Sequence, residues 1–302
     1  MEIDTPFKEL KNENYNIIIK YGTLEKGYVN INFANGNKYV GGILNNDLNG
    51  DGTMYYENGD KYEGEFKYGD FFGNGTMTYK NGDRFTGRFV NGLSYGNGIL
   101  EKKDNTKITG FFIDGKLNGS GRCIYSDGMK YVGQYKDGIR EGLGELEDTY
   151  GIYTGTFKNN LFNGYGEYKS HDGKIFKGNF VDNVIDGFGI LDKKDEYYYK
   201  GNFKNNLYHG RGELLIGDTE IYRGLFENGL FNGEGEYIYK NGMVIRGNFI
   251  KGKQVGKTLI IYPSNNQYEG ETINGIPNGK GIMKYLDGRI EDGNFKDGYF
   301  VS

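Results

Sequence analysis

Apolar and polar positions recur along the chain with a period of 23 residues, interrupted by one interval of 22 residues. Twelve glycines mark this period, from Gly41 to Gly293. We number repeat positions from the residue two before each of these glycines, so that the glycine stands at position 3. A fixed period of this length is typical of a stacked array, in which each unit buries its apolar side chains against its neighbours.

The polarity pattern within one period predicts a β-hairpin. Positions 1 to 5 alternate as aromatic, variable, glycine, variable, aromatic, which predicts a first strand. Positions 7 and 8 are pairs such as Asn91-Gly92, and these residue types tolerate the positive φ angles of a tight turn. Positions 14 to 18 predict a second strand, with glycine at positions 12 and 14 in most repeats and an apolar residue at position 16. A second turn follows near position 21. The residues at position 1 are Tyr39, Tyr62, Phe85, Ile108, Tyr131, Tyr153, Phe176, Tyr199, Tyr222, Ile245, Tyr268 and Glu291.

Glycine inside a strand costs about 0.5–1 kcal/mol relative to alanine, so its recurrence requires a neighbour that occupies the vacant space. We expect the rings at positions 1 and 5 to lie over the glycines of adjacent strands. The predicted fold is all-β: an elongated single-layer antiparallel β-sheet rod, solenoid-like, of about 12 stacked 23-residue β-hairpin repeats.

Two kinds of segment flank the full repeats. Thr5-Pro6 is expected to open a helical turn that carries Phe7 and Leu10 toward the first repeat. The predicted organisation is an N-terminal cap segment at 1–15, a partial repeat at 16–38, full repeats at 39–290 and a terminal half-repeat at 291–302.

The repeat resembles a known family. Residues 62–84 read Y-E-G-E-F-K-Y-G-D-F-F-G-N-G-T-M-T-Y-K-N-G-D-R. This pattern resembles the MORN repeat (membrane occupation and recognition nexus), and the resemblance extends over about residues 16–300. It implies a twisted antiparallel sheet used as a scaffold, often at membranes, in cilia or in the cortical cytoskeleton, and sometimes self-associating through its terminal repeats.

Composition and charge narrow the function classes. The chain has 53 glycines, 28 tyrosines and 20 phenylalanines, but only 36% apolar residues, which favours a thin stacked core. A formal net charge of −4 supplies no overall attraction to nucleic acid, and one cysteine excludes a disulfide framework. No apolar run approaches the roughly 20 residues that span a bilayer. We therefore expect a cytoplasmic protein, with any cytoskeletal, ciliary or membrane association being peripheral.

Candidate chemical sites acquire structural roles once they are placed in the repeat. Gly252 to Thr258 ends in Gly-Lys-Thr, but a phosphate-binding P-loop needs four residues between its glycines, and this segment has three. His171 and His209 fall near opposite turns of their repeats, so they are not expected to share a metal. Cys123 stands at position 16, where a buried small apolar side chain is expected. The sequence predicts no catalytic residue, no cofactor, no metal site and no enzyme activity.

One segment stands out by its charge. Between Tyr237 and Tyr268 the chain has five basic residues and no acidic residue. Such a segment would attract acidic lipid headgroups, although a solvated face is the alternative. The candidate acidic-lipid contacts are Lys240, Arg246, Lys251, Lys253 and Lys257.

Aromatic residues outside the main pattern are candidate partner contacts, because a single-layer sheet leaves apolar surface uncovered. They are Phe71, Phe72, Tyr95, Phe162, Tyr208 and Phe231, at positions 10 and 11. An open sheet also presents unpaired backbone at its last strand. We therefore expect a homodimer formed through the C-terminal repeats.

The sequence favours a non-enzymatic scaffold that organises protein partners at a cortical cytoskeleton, cilium or membrane edge. Two alternatives remain open. One is a peripheral module that binds phosphoinositides or other acidic lipids, and the other is a regulatory subunit that acts on an enzyme in trans.

Overall fold

The structure is a computed structural model that describes residues 8–11, 15–217 and 219–302. It divides into two compact units, the first ending at Asp148 and the second beginning at Thr149. All regular elements in the described residues are β-strands, and each strand pairs antiparallel with its sequence neighbours within its unit. The all-β class and the antiparallel hairpin repeat are therefore confirmed.

The described residues of the first unit form thirteen strands. They are β1 Lys8–Lys11, β2 Tyr15–Gly22, β3 Lys26–Phe33, β4 Lys38–Leu44, β5 Asp47–Tyr55, β6 Lys61–Lys67, β7 Asp70–Thr78, β8 Arg84–Val90, β9 Leu93–Glu101, β10 Lys107–Ile113, β11 Lys116–Ile124, β12 Lys130–Lys136 and β13 Ile139–Glu147.

In the second unit, the residues that the structure describes form fourteen strands. They are β14 Gly151–Lys158, β15 Leu161–Ser170, β16 Lys174–Val181, β17 Val184–Lys193, β18 Tyr197–Lys204, β19 Leu207–Ile216, β20 Glu220–Glu227, β21 Leu230–Ile238, β22 Val244–Ile250, β23 Lys253–Ile261, β24 Gln267–Ile273, β25 Ile276–Lys284, β26 Ile290–Lys296 and β27 Tyr299–Phe300.

Both predicted turns are present. Positions 7 and 8 have positive φ even where the residue is not glycine, as at Tyr68 (54°) and Lys251 (49°). The second turn likewise has a glycine with positive φ in several repeats, for example Gly59 at 94° and Gly242 at 85°. Turns of this hand match the twist of the flanking strands, so the position of each Asn, Asp or Gly pair determines where the chain reverses.

The predicted N-terminal helical turn is wrong for the part that the structure describes. Leu10 lies in strand β1, whose residues pair antiparallel with β2 from Lys8↔Ile19 to Lys11↔Asn16. Strand β1 therefore covers the outer edge of β2 by backbone pairing. Thr5, Pro6 and Phe7 lie outside the described residues.

Each unit has two faces of different character. The aromatic face carries positions 1, 3, 5, 10, 14 and 16, and most of its position 1 side chains are buried, as at Tyr222. The groove face carries positions 2, 4, 13 and 15, which are mostly polar and more exposed. The core of each unit therefore consists of side chains packed along one face of a sheet.

Candidate functional site

The aromatic face is built from a recurring contact between a ring and two glycines. A Cβ added to Gly224 would lie 2.6 Å from the Tyr222 hydroxyl oxygen, and one added to Gly235 would lie 2.4 Å from it. The position 1 ring therefore occupies the space above the glycines at positions 3 and 14, as the sequence predicts. The same arrangement recurs in the first unit, where the Tyr39 ring covers Gly41 and Gly52.

The position 1 hydroxyl has its own partner. The ladder between β20 and β21 shifts register between Gly224 and Phe226. The Tyr222 hydroxyl donates to the carbonyl oxygen of Leu225, at 3.0 Å, inside this irregularity. Burial raises the pKa of Tyr222 to about 12, because the neutral hydroxyl is favoured away from water.

Position 5 rings do not cover glycines, contrary to the sequence prediction. Phe226 packs edge-on against Tyr222 at 5.0 Å and against Tyr199 of the preceding repeat at 5.2 Å, measured between ring centroids. Edge-to-face packing is a preferred geometry for aromatic pairs. The position 5 ring therefore joins successive repeats, whereas the glycine row is covered by the position 1 ring or, in the repeat that begins at Ile108, by Leu117.

Four of the predicted partner-contact aromatics take part in this packing. Each stacks on the position 1 ring of its own repeat, with ring centroids 3.8–3.9 Å apart. The position 1 ring is buried in each pair, and the position 10 ring is half-buried. The stacked pairs are Phe71 on Tyr62, Phe162 on Tyr153, Tyr208 on Tyr199 and Phe231 on Tyr222.

The other two candidates lie at position 11. The ammonium of Lys67 lies over the half-buried Phe72 ring, 4.9 Å from its centroid. Tyr95 is 50% exposed and packs edge-on against Phe111 at 5.5 Å. The structure therefore does not place the six aromatics in one surface, and their role in partner binding stays a prediction.

The groove face of the second unit contains an open groove of about 910 Å³, which runs across strands β17 to β23. Its floor is the backbone of the glycine rows, including Gly201, Gly212, Gly224, Gly235 and Gly247. Two rows of side chains flank this floor. The charged wall, from positions 2 and 15, consists of Lys200, Glu213, Arg223, Glu236 and Arg246; the mixed wall, from positions 4 and 13, consists of Phe188, Arg211, Leu225, Glu234, Asn248 and Lys257.

The charged wall is a ladder of alternating ion pairs. Arg223 Nε lies 2.6 Å from a carboxylate oxygen of Glu213, and its terminal nitrogen lies 3.6 Å from Glu236. Arg246 also pairs with Glu236 through Nε. These groups are substantially exposed, so each pair contributes at most about 1 kcal/mol to stability. Their main effect is to neutralise Glu213 and Glu236.

The mixed wall begins with exposed apolar surface. Phe188 is 51% exposed, and Tyr165, at position 13 of the preceding repeat, is 66% exposed. Large exposed rings on an otherwise polar sheet face often mark a binding site. Sequence reasoning missed these two residues because it followed positions 10 and 11; the signal was a pair of aromatic residues at position 13, where polar residues predominate elsewhere in this unit.

The five basic candidates are distributed over three places. Arg246 and Lys257 line the groove, whereas Lys251 and Lys253 lie at the hairpin turn between β22 and β23. Lys240 lies in the turn between β21 and β22, at the opposite ends of these strands. The structure therefore does not assemble the five into one cationic patch.

A family model described as MORN repeat matches nine stretches, which together cover more than half of the chain. The matched residues are 39–61, 62–84, 109–130, 131–149, 153–175, 176–195, 199–218, 222–244 and 268–288. The chain belongs to the MORN repeat family. Residues 85–108 and 245–267 lie outside the matched stretches, and their position 1 residues are Phe85 and Ile245.

No curated protein matches this MORN chain. Among solved structures, it is similar to the SAS-4 (dCPAP) TCP domain of Drosophila melanogaster in complex with a proline-rich motif of Ana2, with 14% identity over 64% of this chain and 88% of that chain and a TM-score of 0.30. It is also similar to the TCP10 domain of Danio rerio CPAP in complex with a STIL peptide, with 12% identity over 93% of this chain and 99% of that chain and a TM-score of 0.29. At these TM-scores the likeness carries no argument about what this chain does.

The unmatched MORN repeat at 245–267 departs from the repeat pattern at positions 1 and 14. Ile245 leaves the position 14 site uncovered, and Thr258 occupies it in place of glycine. The Thr258 hydroxyl lies 2.9 Å from the Thr272 hydroxyl, and the side-chain amide of Gln254 contacts both. These three buried side chains satisfy one another, so they are a packing substitute for the missing ring.

The remaining candidates have structural surroundings. Gly252 forms a hairpin turn, and Lys253–Ile261 is a strand, whereas a P-loop requires a following helix. Cys123 is buried, and burial raises the pKa of its thiol. His171 Nδ1 lies 3.2 Å from the carbonyl oxygen of Thr149 in a turn. Within the described part of the chain, no cluster of three or more His, Cys, Asp or Glu is arranged to hold a metal, and no helix is long and apolar enough to cross a membrane.

Proposed function

We propose that this MORN repeat chain is a non-enzymatic scaffold and that the groove face of its second unit binds a protein partner. The observation that carries the proposal is an open groove of about 910 Å³ with exposed Phe188 at its edge and exposed Tyr165 in the same row beyond it. Aromatic side chains are enriched at protein interfaces, where they supply large contact area with few rotatable bonds.

The aromatic face is less suited to this role. Its rings are paired with glycines and with one another, as in the stack of Phe231 on Tyr222. A partner that engaged those rings fully would have to separate them from their stacking partners. The groove face needs no such rearrangement, because its floor and walls are already open to solvent.

We further propose that the scaffold acts at a cortical cytoskeleton, a cilium or a membrane edge, on the basis of the family alone.

A homodimer through the C-terminal repeats is a separate proposal. Strand β27 pairs only with Phe295 and Lys296 of β26, so the outer edge near Ile290 has no paired strand among the described residues. Ile290→Lys would place a charge at this edge and should convert a dimer to a monomer in light scattering; a wild-type monomer at tens of micromolar contradicts the dimer.

The partner-binding proposal is tested by photo-crosslinking in the native cell. The crosslinking amino acid p-benzoylphenylalanine replaces Tyr165 or Phe188 in the groove row and, as a control, Tyr68 in an exposed hairpin turn of the first unit. We expect discrete protein adducts from the two groove-row sites and none of the same adducts from Tyr68. Absence of protein adducts at both groove-row sites, or the same adducts at all three, contradicts the proposal.

A further inference from the structure

We propose that the groove of the second unit selects an extended acidic segment of a partner protein, with carboxylates at the two ends of a stretch of about seven residues. This inference rests on the proposed function and specifies the chemistry of the partner.

The unpaired charge in the groove is mostly positive. Five basic and three acidic side chains line the groove. Arg223 and Arg246 are engaged with Glu213 and Glu236. The other three basic side chains are exposed and form no ion pair within the described residues; they are Lys200, Arg211 and Lys257. Cations that form no ion pair within the described residues are available to carboxylates of a ligand.

These free cations lie at the two ends of the groove. Lys200 on β18 and Arg211 on β19 lie near Phe188 at one end, whereas Lys257 on β23 is at the other. Five strand spacings separate β18 from β23, which is about 24 Å at 4.8 Å per spacing. The middle contains Glu234, which forms no ion pair in the described structure and disfavours an acidic residue there.

An extended segment matches the length of the groove. At about 3.3 Å per residue, an extended chain covers about 24 Å with roughly seven residues.

Other anionic ligands fit the groove less well. Single-stranded nucleic acid has a phosphate on every nucleotide, so phosphates would lie beside Glu234 in the centre as well as beside the cations at the ends. A bilayer surface is flat, whereas the groove floor is recessed between two walls of side chains. A peptide can carry acidic residues at its ends and neutral residues in its centre.

The test uses the full chain and a fluorescent nine-residue peptide with two glutamates at each end, a phenylalanine beside the first pair, and glycine and serine in the centre. Fluorescence anisotropy gives its Kd at low and at physiological salt. We expect Lys200→Glu/Arg211→Glu to weaken binding at least tenfold and Lys257→Glu to weaken it severalfold. The control Lys240→Glu/Lys251→Glu makes the same charge change outside the groove and should change Kd by less than twofold.

The outcomes separate the two levels of the proposal. The acidic-segment inference is overturned if a peptide with lysines in place of the glutamates binds equally well, or if the groove and control variants have equal effects. It is also overturned if a single-stranded oligonucleotide or anionic vesicles bind more tightly than the acidic peptide. The crosslinking experiment tests the scaffold independently of these results. If adducts at Tyr165 and Phe188 persist in the Lys200→Glu/Arg211→Glu variant, the groove still binds a partner but does not select an acidic one. Circular dichroism of each variant checks that the sheet is retained.

Discussion

The two faces of the second unit use similar residues in different ways. On the aromatic face, Phe231 stacks on Tyr222, whose ring covers Gly224 and Gly235. The surface of these rings is therefore used in packing within the protein. On the groove face, Phe188 is 51% exposed beside a floor of glycine backbone. The same glycines therefore admit a ring on one side of the sheet and form an open groove on the other.

This difference separates stability from binding. Substitutions on the aromatic face should lower stability, because they disturb close packing. Substitutions on the groove face should change binding with little effect on stability, because surface positions away from packing usually change it by less than about 0.5 kcal/mol.

The largest expected effect is alkaline unfolding through the aromatic face. Burial raises the pKa of Tyr153 and Tyr222 to about 12, whereas an unfolded tyrosine titrates near 10. A raised pKa in the folded state gives stability that is complete below pH 10 and is lost as the pH rises toward 12. The urea midpoint should fall as the pH rises through this range, and tyrosinate absorbance should show these tyrosines ionising above pH 10, together with unfolding. Titration of these tyrosines near pH 10 without loss of stability would contradict the assignment of stability to the aromatic face.

The next effect is steric. A Cβ at Gly224 would lie 2.6 Å from the Tyr222 hydroxyl oxygen and 2.6 Å from the Gly235 Cα atom, whereas the nearest atoms to a Cβ at Gly247, where Ile245 supplies no ring, are 3.3 Å away. Gly224→Ala should therefore lower the free energy of unfolding by about 3 kcal/mol. The matched variant Gly247→Ala should change it by less than about 1 kcal/mol. Equal urea midpoint shifts for the two variants would show that the ring does not determine the glycine requirement.

A smaller effect concerns the hydroxyl alone. Tyr222→Phe removes the donor to the Leu225 carbonyl and should lower the free energy of unfolding by about 1 kcal/mol. Tyr165→Phe, on the exposed row of the groove face, should leave it within about 0.5 kcal/mol. Chemical denaturation measures both, and a larger loss for Tyr165→Phe would be inconsistent with the assignment of the faces.

The smallest effect is expected at the hairpin-turn lysines. Each basic residue near an anionic membrane contributes about 1 kcal/mol, and the five candidates lie in three places, so they do not add up on one membrane-facing surface. Lys251→Glu/Lys253→Glu should therefore leave sedimentation with phosphatidylserine vesicles unchanged. A salt-sensitive loss of vesicle binding in this variant would support the lipid-binding alternative.

Much of the fold could be predicted from the sequence because the repeat pattern encodes local geometry. The turn pairs, the glycine rows and the cover supplied by residues such as Tyr222 all follow from φ preferences and from the absence of a side chain on glycine. The stacking of Phe231 could not be predicted, because it depends on a shift of register that brings position 10 beside position 1.

Less of the candidate site could be predicted from the sequence. The basic segment is continuous in the sequence, but Lys251 and Lys253 lie at the hairpin turn, whereas Arg246 and Lys257 line the groove. The groove instead collects residues from seven strands, and Lys200 and Lys257 belong to it only because positions 2 and 13 share a face. A count of charges along the chain does not contain that information.

The most direct test of the account compares two phenylalanines of the second unit. Phe188→Ser and Phe231→Ser are prepared in chains with the crosslinker at Tyr165, and both the unfolding midpoint and the yield of partner adduct are measured. We predict that Phe231→Ser lowers the free energy of unfolding by about 2 kcal/mol and retains adducts under native conditions. We predict that Phe188→Ser changes stability by less than about 0.5 kcal/mol and strongly reduces the adducts. Loss of adducts in a stable Phe231→Ser chain, with Phe188→Ser binding normally, would contradict the assignment of binding to the groove face.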